Sequence, residues 1–484
     1  MADSTLGYSQ ATPDSPPTVT AEEHAAKLKR EARPMSNKEK LSAYFTIAAA
    51  ALGLISDGYQ NNLMTMANVV FKDLYPADYT SVVSTRVSNA LLVGAVLGQF
   101  FVGLVCDRVG RKVALFATTA FIVLGAILAT AAHASTPPAS FGITGVGVGG
   151  EYPAGSTSAS EAANEKMPKN RGPVFVMVTN FVLQSVLIFL IVLSAAGDNH
   201  LQTVWRVCFG IGILLPLGVF VVRMRMMSTI LYRKGAIKHH VPYGLVFKRY
   251  WRSLIGTCCA WFLYDFVTFP NGVFSGTIIS SVIKDSSIKK TGEWQLLLGT
   301  IALPGIFVGA WLCNIIGRRN TLMLGFSGYL VFGLIIGLAY DKITKIVPLF
   351  VVFYGLMQSS GNLGPGDMMG LVSVESYPTA IRGTCYGISA ALGKVGAAVG
   401  TQAFTPIETN LGKKWTFIIA AICGVAGILV TYFFIPDMTG VDLADEDAKF
   451  MEYLAANGWE GRVGEDADEQ LIVSVEKGSL DEKN

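Results

Sequence analysis

Charged residues are scarce in this sequence. Only 15% of its 484 residues are Asp, Glu, Lys or Arg, whereas 51% are apolar and the mean hydropathy is positive, at +0.45. A soluble globular domain carries about 25% charged residues, so this composition excludes an ordinary water-soluble fold. We therefore expect a lipid bilayer to be the main solvent of the protein.

Signatures of catalysis and metal binding are missing as well. The HExxH, GxSxG and P-loop patterns do not occur. The seven cysteines lie within or at the ends of apolar runs and lack the paired spacing of zinc sites or secreted scaffolds. We expect buried thiols, no metal or other cofactor, no enzymatic activity and no nucleic-acid partner.

One pattern resembles a nucleotide-binding loop. Residues 145–150, Gly-Val-Gly-Val-Gly-Gly, fit the GxGxxG fingerprint. No strand is predicted before this segment, and no soluble βαβ unit surrounds it. Glycines four apart in a helix instead permit close backbone approach between membrane spans, and we interpret them in that way.

Long apolar runs are abundant. About twelve of them reach the roughly 20 residues that a helix needs to cross ~30 Å of hydrocarbon. The predicted spans, numbered one to twelve in chain order, are residues 42–64, 83–106, 112–133, 139–160, 172–195, 203–223, 251–282, 294–316, 320–340, 346–370, 383–406 and 414–435.

Lysine and arginine are distributed unevenly between the two sets of loops. The N-terminal flank and alternate short loops hold 23 of them, against ten in the opposite set, which predicts that both termini are cytoplasmic. Residues 1–41 are predicted to be a disordered tail without a cleavable signal peptide. Residues 436–484 carry 14 acidic and four basic residues, and we expect a solvated, partly disordered acidic tail that can include a short helix near 443–455.

A glycine-containing basic loop occurs twice. Residues 103–112 (Gly-Leu-Val-Cys-Asp-Arg-Val-Gly-Arg-Lys) lie between spans two and three, and residues 309–319 (Gly-Ala-Trp-Leu-Cys-Asn-Ile-Ile-Gly-Arg-Arg) lie between spans eight and nine, 206 positions later. A loop that only sets topology explains one copy but not two at half-chain spacing. We expect a hinge that closes one membrane face, with gating residues Asp107, Arg108, Arg111, Asn314, Arg318 and Arg382.

A second repeat has an offset near 215 residues. Gly150-Glu151, followed by Glu161 and Arg171, matches Gly366-Asp367, followed by Glu375 and Arg382. Two such halves resemble the major facilitator superfamily. The predicted fold is an all-α membrane protein of twelve transmembrane helices, with six-helix halves at 42–223 and 251–435 and a basic cytoplasmic linker at 224–250.

Few charges lie inside the predicted spans. An ionised side chain at mid-bilayer costs about 2.5–3.5 kcal/mol or more, so each one needs an explanation. A carboxyl that is neutral in one state and charged in another can couple proton movement to a conformational change. The alternative is an acid held by neighbouring helices for packing alone. The charged residues concerned are Asp57, Glu151, Asp265, Asp367 and Lys394.

Span seven carries an aromatic strip around one of these acids. Trp261, Asp265 and Phe269 recur every four residues and therefore share one helix face. Such a face suits a substrate with an apolar or ring-shaped body, and an aromatic packing stripe is the alternative interpretation.

Three segments carry a family resemblance that covers nearly the whole chain. Residues 262–276 (Phe-Leu-Tyr-Asp-Phe-Val-Thr-Phe-Pro-Asn-Gly-Val-Phe-Ser-Gly), 56–62 (Ser-Asp-Gly-Tyr-Gln-Asn-Asn) and 150–153 (Gly-Glu-Tyr-Pro) resemble the fungal glycerophosphoinositol permeases, which are similar to phosphate:proton symporters. The resemblance implies proton-driven import of a small organic phosphate anion across the plasma membrane. The anion would be a glycerophosphodiester such as glycerophosphoinositol or glycerophosphocholine, and a monomer is expected.

The resemblance also implies roles for single residues. Proton coupling would fall to Asp57, Glu151 and Asp265. Substrate contacts, with Gln184 as an additional candidate in span five, would fall to Tyr152, Asn180, Trp261, Asp265, Phe269, Asn362 and Lys394.

Two departures from the phosphate symporters predict a different substrate. Phe269 stands where they have tyrosine, and Gly366 stands where they have asparagine. We hypothesise that the lost polar contacts and the volume gained at Gly366 admit a bulkier ester. An inorganic phosphate:proton symporter and a transport-inactive nutrient receptor remain alternatives, the latter because span four is short and polar and span five appears trimmed.

Overall fold

The computed structural model describes residues 18–20, 23, 37–131, 139–180, 185–224, 226, 228–283, 287–465 and 471–474. Within these ranges the chain is almost entirely helical. The first six spans are formed by the helices Asn37–Leu74, Ser81–Arg108, Arg111–Ala131, Ala139–Lys166, Arg171–Asn180 with Ser185–Ala196, and Leu201–Arg223. Gln184 and residues 132–138 lie outside the described residues.

The second six spans follow the same order. They are formed by Tyr243–Val273 with Ser275–Val282, Ile288–Ala302 with Pro304–Ile315, Arg318–Leu338, Val347–Gly361 with the π-helical turn Asn362–Gly366 and Asp367–Glu375, Arg382–Asn410, and Lys414–Phe434. Shorter elements connect or follow the spans. They are the helices Ile230–Gly235, Tyr340–Ile343 and Leu443–Ala456, the 3-10 turns Pro168–Asn170 and Asp198–His200, and the strands Thr18–Thr20, Gly461–Val463 and Leu471–Ser474.

The predicted all-α membrane fold is confirmed. Nine spans in the described ranges are long and apolar enough to cross a membrane by themselves. Spans four, ten and eleven complete the twelve and carry more polar side chains. They can do so because they pack against other helices: span four against spans two and three, and span eleven against span seven of its own half and span two of the other.

Span four is long enough to cross a bilayer. Its helix covers 28 residues, from Ala139 to Lys166, and continues through a polar segment that contains Ser156, Ser160 and Glu161. These three side chains are fully buried, so they face protein rather than lipid. Span four therefore has few apolar residues, as predicted, but its helix is long enough to cross the membrane.

The glycines at 145–150 serve helix packing, as the sequence predicted. A Cβ atom built on Gly149 would lie 2.2 Å from the carbonyl oxygen of Ala95 in span two, and one on Gly145 would lie 2.1 Å from that of Leu91. Real Cβ atoms do not approach backbone oxygens so closely. Spans two and four are thus in direct backbone contact along this segment.

The acidic tail is not a solvated extension where the structure describes it. Its helix Leu443–Ala456, the tail helix, buries Phe450, Met451 and Leu454 completely. These side chains pack in a cluster with Tyr250 of span seven and with residues 377–381. The expectation of solvation is wrong here because the helix is amphipathic. These apolar residues and Asp447 are buried against the protein, whereas Lys449 and Glu452 are exposed.

Both ends of the chain meet at one face of the protein. Strand Thr18–Thr20 pairs in parallel with Leu471–Ser474, which pairs antiparallel with Gly461–Val463. Residues 464–465 bond to the backbone of residues 233–236 in the linker. We call this side of the protein, with the linker, the tail helix and the sheet, the terminal face.

We predict that Gly149→Ala destabilises the protein by about 1–3 kcal/mol, because the new methyl group forces spans two and four apart. Gly218→Ala in span six is the matched control, since nothing lies within 4 Å of a Cβ built there. Thermal unfolding of the purified protein in detergent should show a lower midpoint for the first variant alone. Equal midpoints would contradict this account of the packing.

Candidate transport pathway

A buried ion pair joins spans seven and eleven. Lys394 Nζ lies 2.7 Å from Asp265 Oδ2, and the two residues are 6% and 1% exposed. The ammonium also lies 4.0 Å from the ring centroid of Phe269 and 5.8 Å from that of Tyr152 in span four. Four residues predicted to contact substrate are thus brought together around one cation, which can exchange its carboxylate partner for the oxygens of an anion.

The aromatic strip of span seven faces span eleven. Trp261 packs edge-on against Tyr386, with ring centroids 5.4 Å apart. A Cβ built on Gly393 of span eleven would lie 2.5 Å from the ring of Trp261. The Tyr386 hydroxyl lies 3.1 Å from Ser156 Oγ of span four. Tyr386 therefore joins the two halves, and Trp261 packs against it from within the second half.

A polar cavity of about 240 Å³ lies one helical turn along span seven from the ion pair, and its lining does not include Lys394, Asp265, Phe269 or Tyr152. Thr268 of span seven lines it, one helical turn beyond Asp265. Asn180 and Asn362, both predicted from the sequence, line it too. Their side-chain amides donate to Thr179 Oγ1 and to the carbonyl of Ala302 respectively, each at 3.0 Å. Further amide and hydroxyl groups come from residues that the sequence analysis did not assign to the site: Asn62, Thr65, Gln295 and Gln358.

The volume expected at Gly366 is already occupied. A Cβ built there would lie 2.9 Å from the Tyr264 hydroxyl, so this tyrosine fills the space that a larger residue would take. The hypothesis of a pocket enlarged at Gly366 is wrong for this conformation. The available space lies instead in the cavity described above, next to glycines 272 and 299.

Glu151 is paired with an arginine that the sequence analysis missed. Arg223 bonds to Glu151 and Thr119, and it donates to the carbonyl of Leu115 at 3.1 Å. Thr118 donates to the other carboxylate oxygen of Glu151 at 2.8 Å. Arg223 was overlooked because it ends span six, where a basic residue ordinarily sets topology, although a buried acid in span four requires a counter-ion.

Asp57 lies close to this pair. A Cβ on Gly53, one helical turn before Asp57, would collide with both Arg223 and Glu151, so span one packs directly on them. Asp57 is fully buried, and neither carboxyl oxygen has a hydrogen-bond partner among the described residues. The three predicted proton-coupling acids thus divide into one cluster, Asp57 with Glu151, and the Asp265 ion pair.

A first ion network closes the terminal face. Arg111 donates to Asp107 at 2.6 Å and to Glu161 at 2.8 Å, and Arg382 of the other half donates to Glu161 at 2.9 Å. Asp107 also accepts from the backbone amide and hydroxyl of Thr384, at 2.6 and 2.7 Å. Asp107 therefore caps the N-terminal end of span eleven across the boundary between the halves.

A second ion network repeats this arrangement in the other half. Arg318 donates to Glu375 at 3.1 Å and to Asn314 at 2.9 Å, and Arg171 of the first half donates to Glu375 at 2.8 Å. Each network thus consists of a loop arginine and a span acid from one half and an arginine from the other. The two loops turn at Gly110 and Gly317, whose φ values are +135° and +89°.

One predicted gating residue lies outside both networks. Arg108 is exposed and donates to the Tyr243 hydroxyl at 3.0 Å. Glu161, Arg171 and Glu375 stood in the second repeat but were not assigned to the gate. Their equivalent positions in the two halves were the signal that could have identified them.

The tail connects the two networks. Asp447 of the tail helix accepts from the backbone amide and the hydroxyl of Thr379, at 2.5 and 2.6 Å, and lies 3.8 Å from Arg382. Arg171 donates to the carbonyl of Val441 at 2.9 Å. Burial raises the pKa of the Asp447 carboxyl to about 6, and the Arg382 guanidinium opposes this shift.

The geometry defines the class of the protein. Two six-helix halves enclose polar, charged groups inside the membrane, and matched ion networks join the halves at one face. This is a membrane transporter of the major facilitator type. Among the described residues, no group of three or more His, Cys, Asp or Glu side chains is placed to hold a metal ion.

The chain belongs to the sugar (and other) transporter family, whose model matches residues 43–450. It is 53% identical over 458 residues to glycerophosphoinositol permease 1 of Candida albicans, covering 91% of this chain and 88% of that one. It is 50% identical over 454 residues to glycerophosphoinositol transporter 1 of Saccharomyces cerevisiae, covering 90% and 88%. The predicted resemblance to the fungal permeases is confirmed.

A solved structure supports the fold. The proton:xylose symporter XylE of E. coli aligns with a TM-score of 0.64 at 16% identity, covering 84% of this chain and 99% of that one.

We predict that Glu161→Gln opens the terminal face. The substitution removes the negative charge that Arg111 and Arg382 contact. Because breaking a buried charge pair costs about 2–5 kcal/mol, opening should become at least tenfold more frequent. Cys385, which is 5% exposed beside Thr384, serves as the reporter when the other six cysteines are replaced by alanine. The measurement is its rate of alkylation by a membrane-permeant maleimide.

The control for this experiment is Glu293→Gln, which makes the same change at an exposed position. An alkylation rate in Glu161→Gln no higher than in this control would contradict the role of the first network.

We predict that docking of the tail helix depends on pH through Asp447. Because the pKa of the Asp447 carboxyl is raised in the docked state, ionisation of this carboxyl weakens docking of the tail helix. The docked state should be most stable below the ordinary value of 3.8, and its stability should fall as pH rises through about 6. A shift of this size changes the docking equilibrium by about a hundredfold.

The measurement is the distance between spin labels at the exposed positions 108 and 449 across this pH range. Asp447→Asn should remove the pH dependence, whereas Glu452→Gln, on the exposed side of the same helix, should keep it. A pH profile that Asp447→Asn leaves unchanged would assign the effect to another group.

Proposed function

We propose that this protein imports a glycerophosphodiester, with glycerophosphoinositol the first candidate, across the plasma membrane together with protons. In this proposal both termini are cytoplasmic, the terminal face is the cytoplasmic face, and the monomer alternates between outward-open and inward-open states. The observation that carries the proposal is Lys394, held between Asp265 and two aromatic rings, one helical turn along span seven from a polar cavity.

Lys394 suits the phosphodiester of such a substrate. Its ammonium is buried and has one carboxylate partner, so an arriving phosphate can take over the ion pair at little extra desolvation. Phe269 and Tyr152 enclose the cation on two sides and exclude water. Charge-assisted hydrogen bonds are strong in such surroundings.

The cavity suits the head group. Its polar lining consists of neutral amides and hydroxyls, from Asn62, Asn180, Gln295, Gln358 and Asn362 among others. Amides both donate and accept, which matches a polyol such as inositol. Its volume of about 240 Å³ exceeds the space that a single phosphate would need. The high identity to two proteins named for glycerophosphoinositol supports the same assignment.

The paired and unpaired acids support proton coupling. Asp57 is buried without a hydrogen-bond partner among the described residues, next to the Glu151–Arg223 pair. If Asp57 loses a proton, Arg223 can turn from Glu151 to Asp57. A proton on either acid would thus change which helices Arg223 holds together.

We predict uptake of labelled glycerophosphoinositol by cells that express this chain and lack other carriers. A proton uncoupler should lower accumulation by more than about tenfold, since ~100 mV is worth about 2.3 kcal/mol per elementary charge. Excess inorganic phosphate should have little effect. Lys394→Gln should lower uptake strongly, whereas Lys345→Gln, an exposed lysine, should not.

Strong inhibition by phosphate would instead indicate an inorganic phosphate symporter. Absence of uptake of either solute, with the chain present at the cell surface, would favour a transport-inactive receptor.

A further inference from the structure

Equivalent acids occur in the two halves but in different surroundings. Glu151 of span four and Asp367 of span ten each follow the glycine of the second repeat, at Gly150 and Gly366. Glu151 has Arg223 and Thr118 as partners. Both carboxyl oxygens of Asp367, in contrast, lack a hydrogen-bond partner among the described residues, although its exposed fraction is 0%.

The surroundings of Asp367 contain no counter-ion within the described part of the chain. Its Oδ2 packs against Gly309 of span eight, where an added Cβ would lie 2.1 Å away. The titratable groups that interact with it are the hydroxyl of Tyr264 in span seven and the thiol of Cys313 in span eight. On span nine, Gly325 packs against the preceding turn of span ten, at Gly364.

An ionised carboxylate in this position would be prohibitively unfavourable. Taking an unpaired charge out of water costs far more than any contact here returns, so the group must be neutral in this conformation. A neutral carboxyl is one that carries a proton.

The position of Asp367 connects it to the cavity. The π-helical turn Asn362–Gly366 immediately precedes it, and Asn362 and Ile306 line the cavity about one turn away. A π-helical turn breaks the regular ladder of backbone hydrogen bonds and is a place where a span can bend or re-pack.

We propose that Asp367 is a second proton-carrying site, located in the C-terminal half. This proposal rests on the proton coupling proposed above. The carboxylate takes up one proton through the cavity while the cavity faces outside. The carboxylic acid releases it to the cytoplasm when the two ion networks open, span ten re-packs at the π-helical turn and water reaches the group. One positive charge thereby enters with the anionic substrate in each cycle.

The test separates coupling from substrate exchange. In proteoliposomes that contain the full chain, Asp367→Asn should retain counterflow of glycerophosphoinositol, which needs no net proton movement. Its accumulation of substrate under an imposed pH gradient should fall by more than about tenfold. Asp341→Asn, at an exposed acid, is the matched control and should behave as the parent in both assays.

An Asp367→Asn variant that accumulates substrate like the parent, with the same pH dependence, overturns the proposal. Loss of counterflow with unchanged thermal stability overturns it too, because the residue then serves the substrate path. If the parent protein exchanges substrate but does not accumulate it in response to the pH gradient, the result contradicts the proposed function itself rather than the role of Asp367.

A second readout does not require transport. The infrared spectrum of the purified protein should contain the carbonyl stretch of a protonated carboxylic acid that disappears in Asp367→Asn. Asp367→Ser, smaller and also neutral, gives the same comparison if the asparagine variant is not recovered. An unchanged band in these spectra would show that Asp367 is not protonated and would overturn the proposal.

Discussion

Charges inside this protein have to be paired, neutral or hydrated, and that constraint organises the rest of the structure. Lys394 is paired with Asp265, Arg223 with Glu151, and the arginines of the terminal face with Glu161 and Glu375. Each pair joins helices that have to separate or rotate if the site is to change sides. Because an unpaired charge is so unfavourable here, movement requires that a partner be exchanged rather than lost. In the proposed function, substrate anions and protons are these replacements.

The two ion networks apply the same constraint to the contact between the two halves. In each network, an arginine from one half bonds to a glutamate of the other, so neither half closes the terminal face alone. The networks are built from repeated sequence, yet the tail breaks the symmetry. Asp447 of the tail helix contacts one network, and the carbonyl of Val441, just before that helix, contacts the other. The tail is thus a third component, which connects the two repeated six-helix halves.

The sequence predicted the fold well because apolar runs of span length and a repeat at half-chain spacing are strong, local signals. It predicted the site less completely. The contact between Asp265 and Lys394 depends on how spans seven and eleven pack, which no local pattern encodes. Arg223 was missed because a basic residue at a span end is ordinarily topogenic, and Gln295 and Gln358 were missed because single amides are common in membrane helices. The short helix near 443–455 was anticipated, but its packing against the protein was missed because net acidity concealed an apolar face formed by Phe450, Met451 and Leu454.

The pairing of residues 18–20 with 471–474, together with the contacts of Asp447, has a consequence for biosynthesis. The ribosome synthesises Asp447 and strand Leu471–Ser474 only after the last span, which ends at Phe434. While the spans insert, the terminal face of a nascent chain is therefore held by the two ion networks alone, without the contacts of the tail helix and the sheet. A chain that stopped near residue 440 would keep every span and both ion networks, but it would lose the contacts that the tail helix and the sheet add at that face.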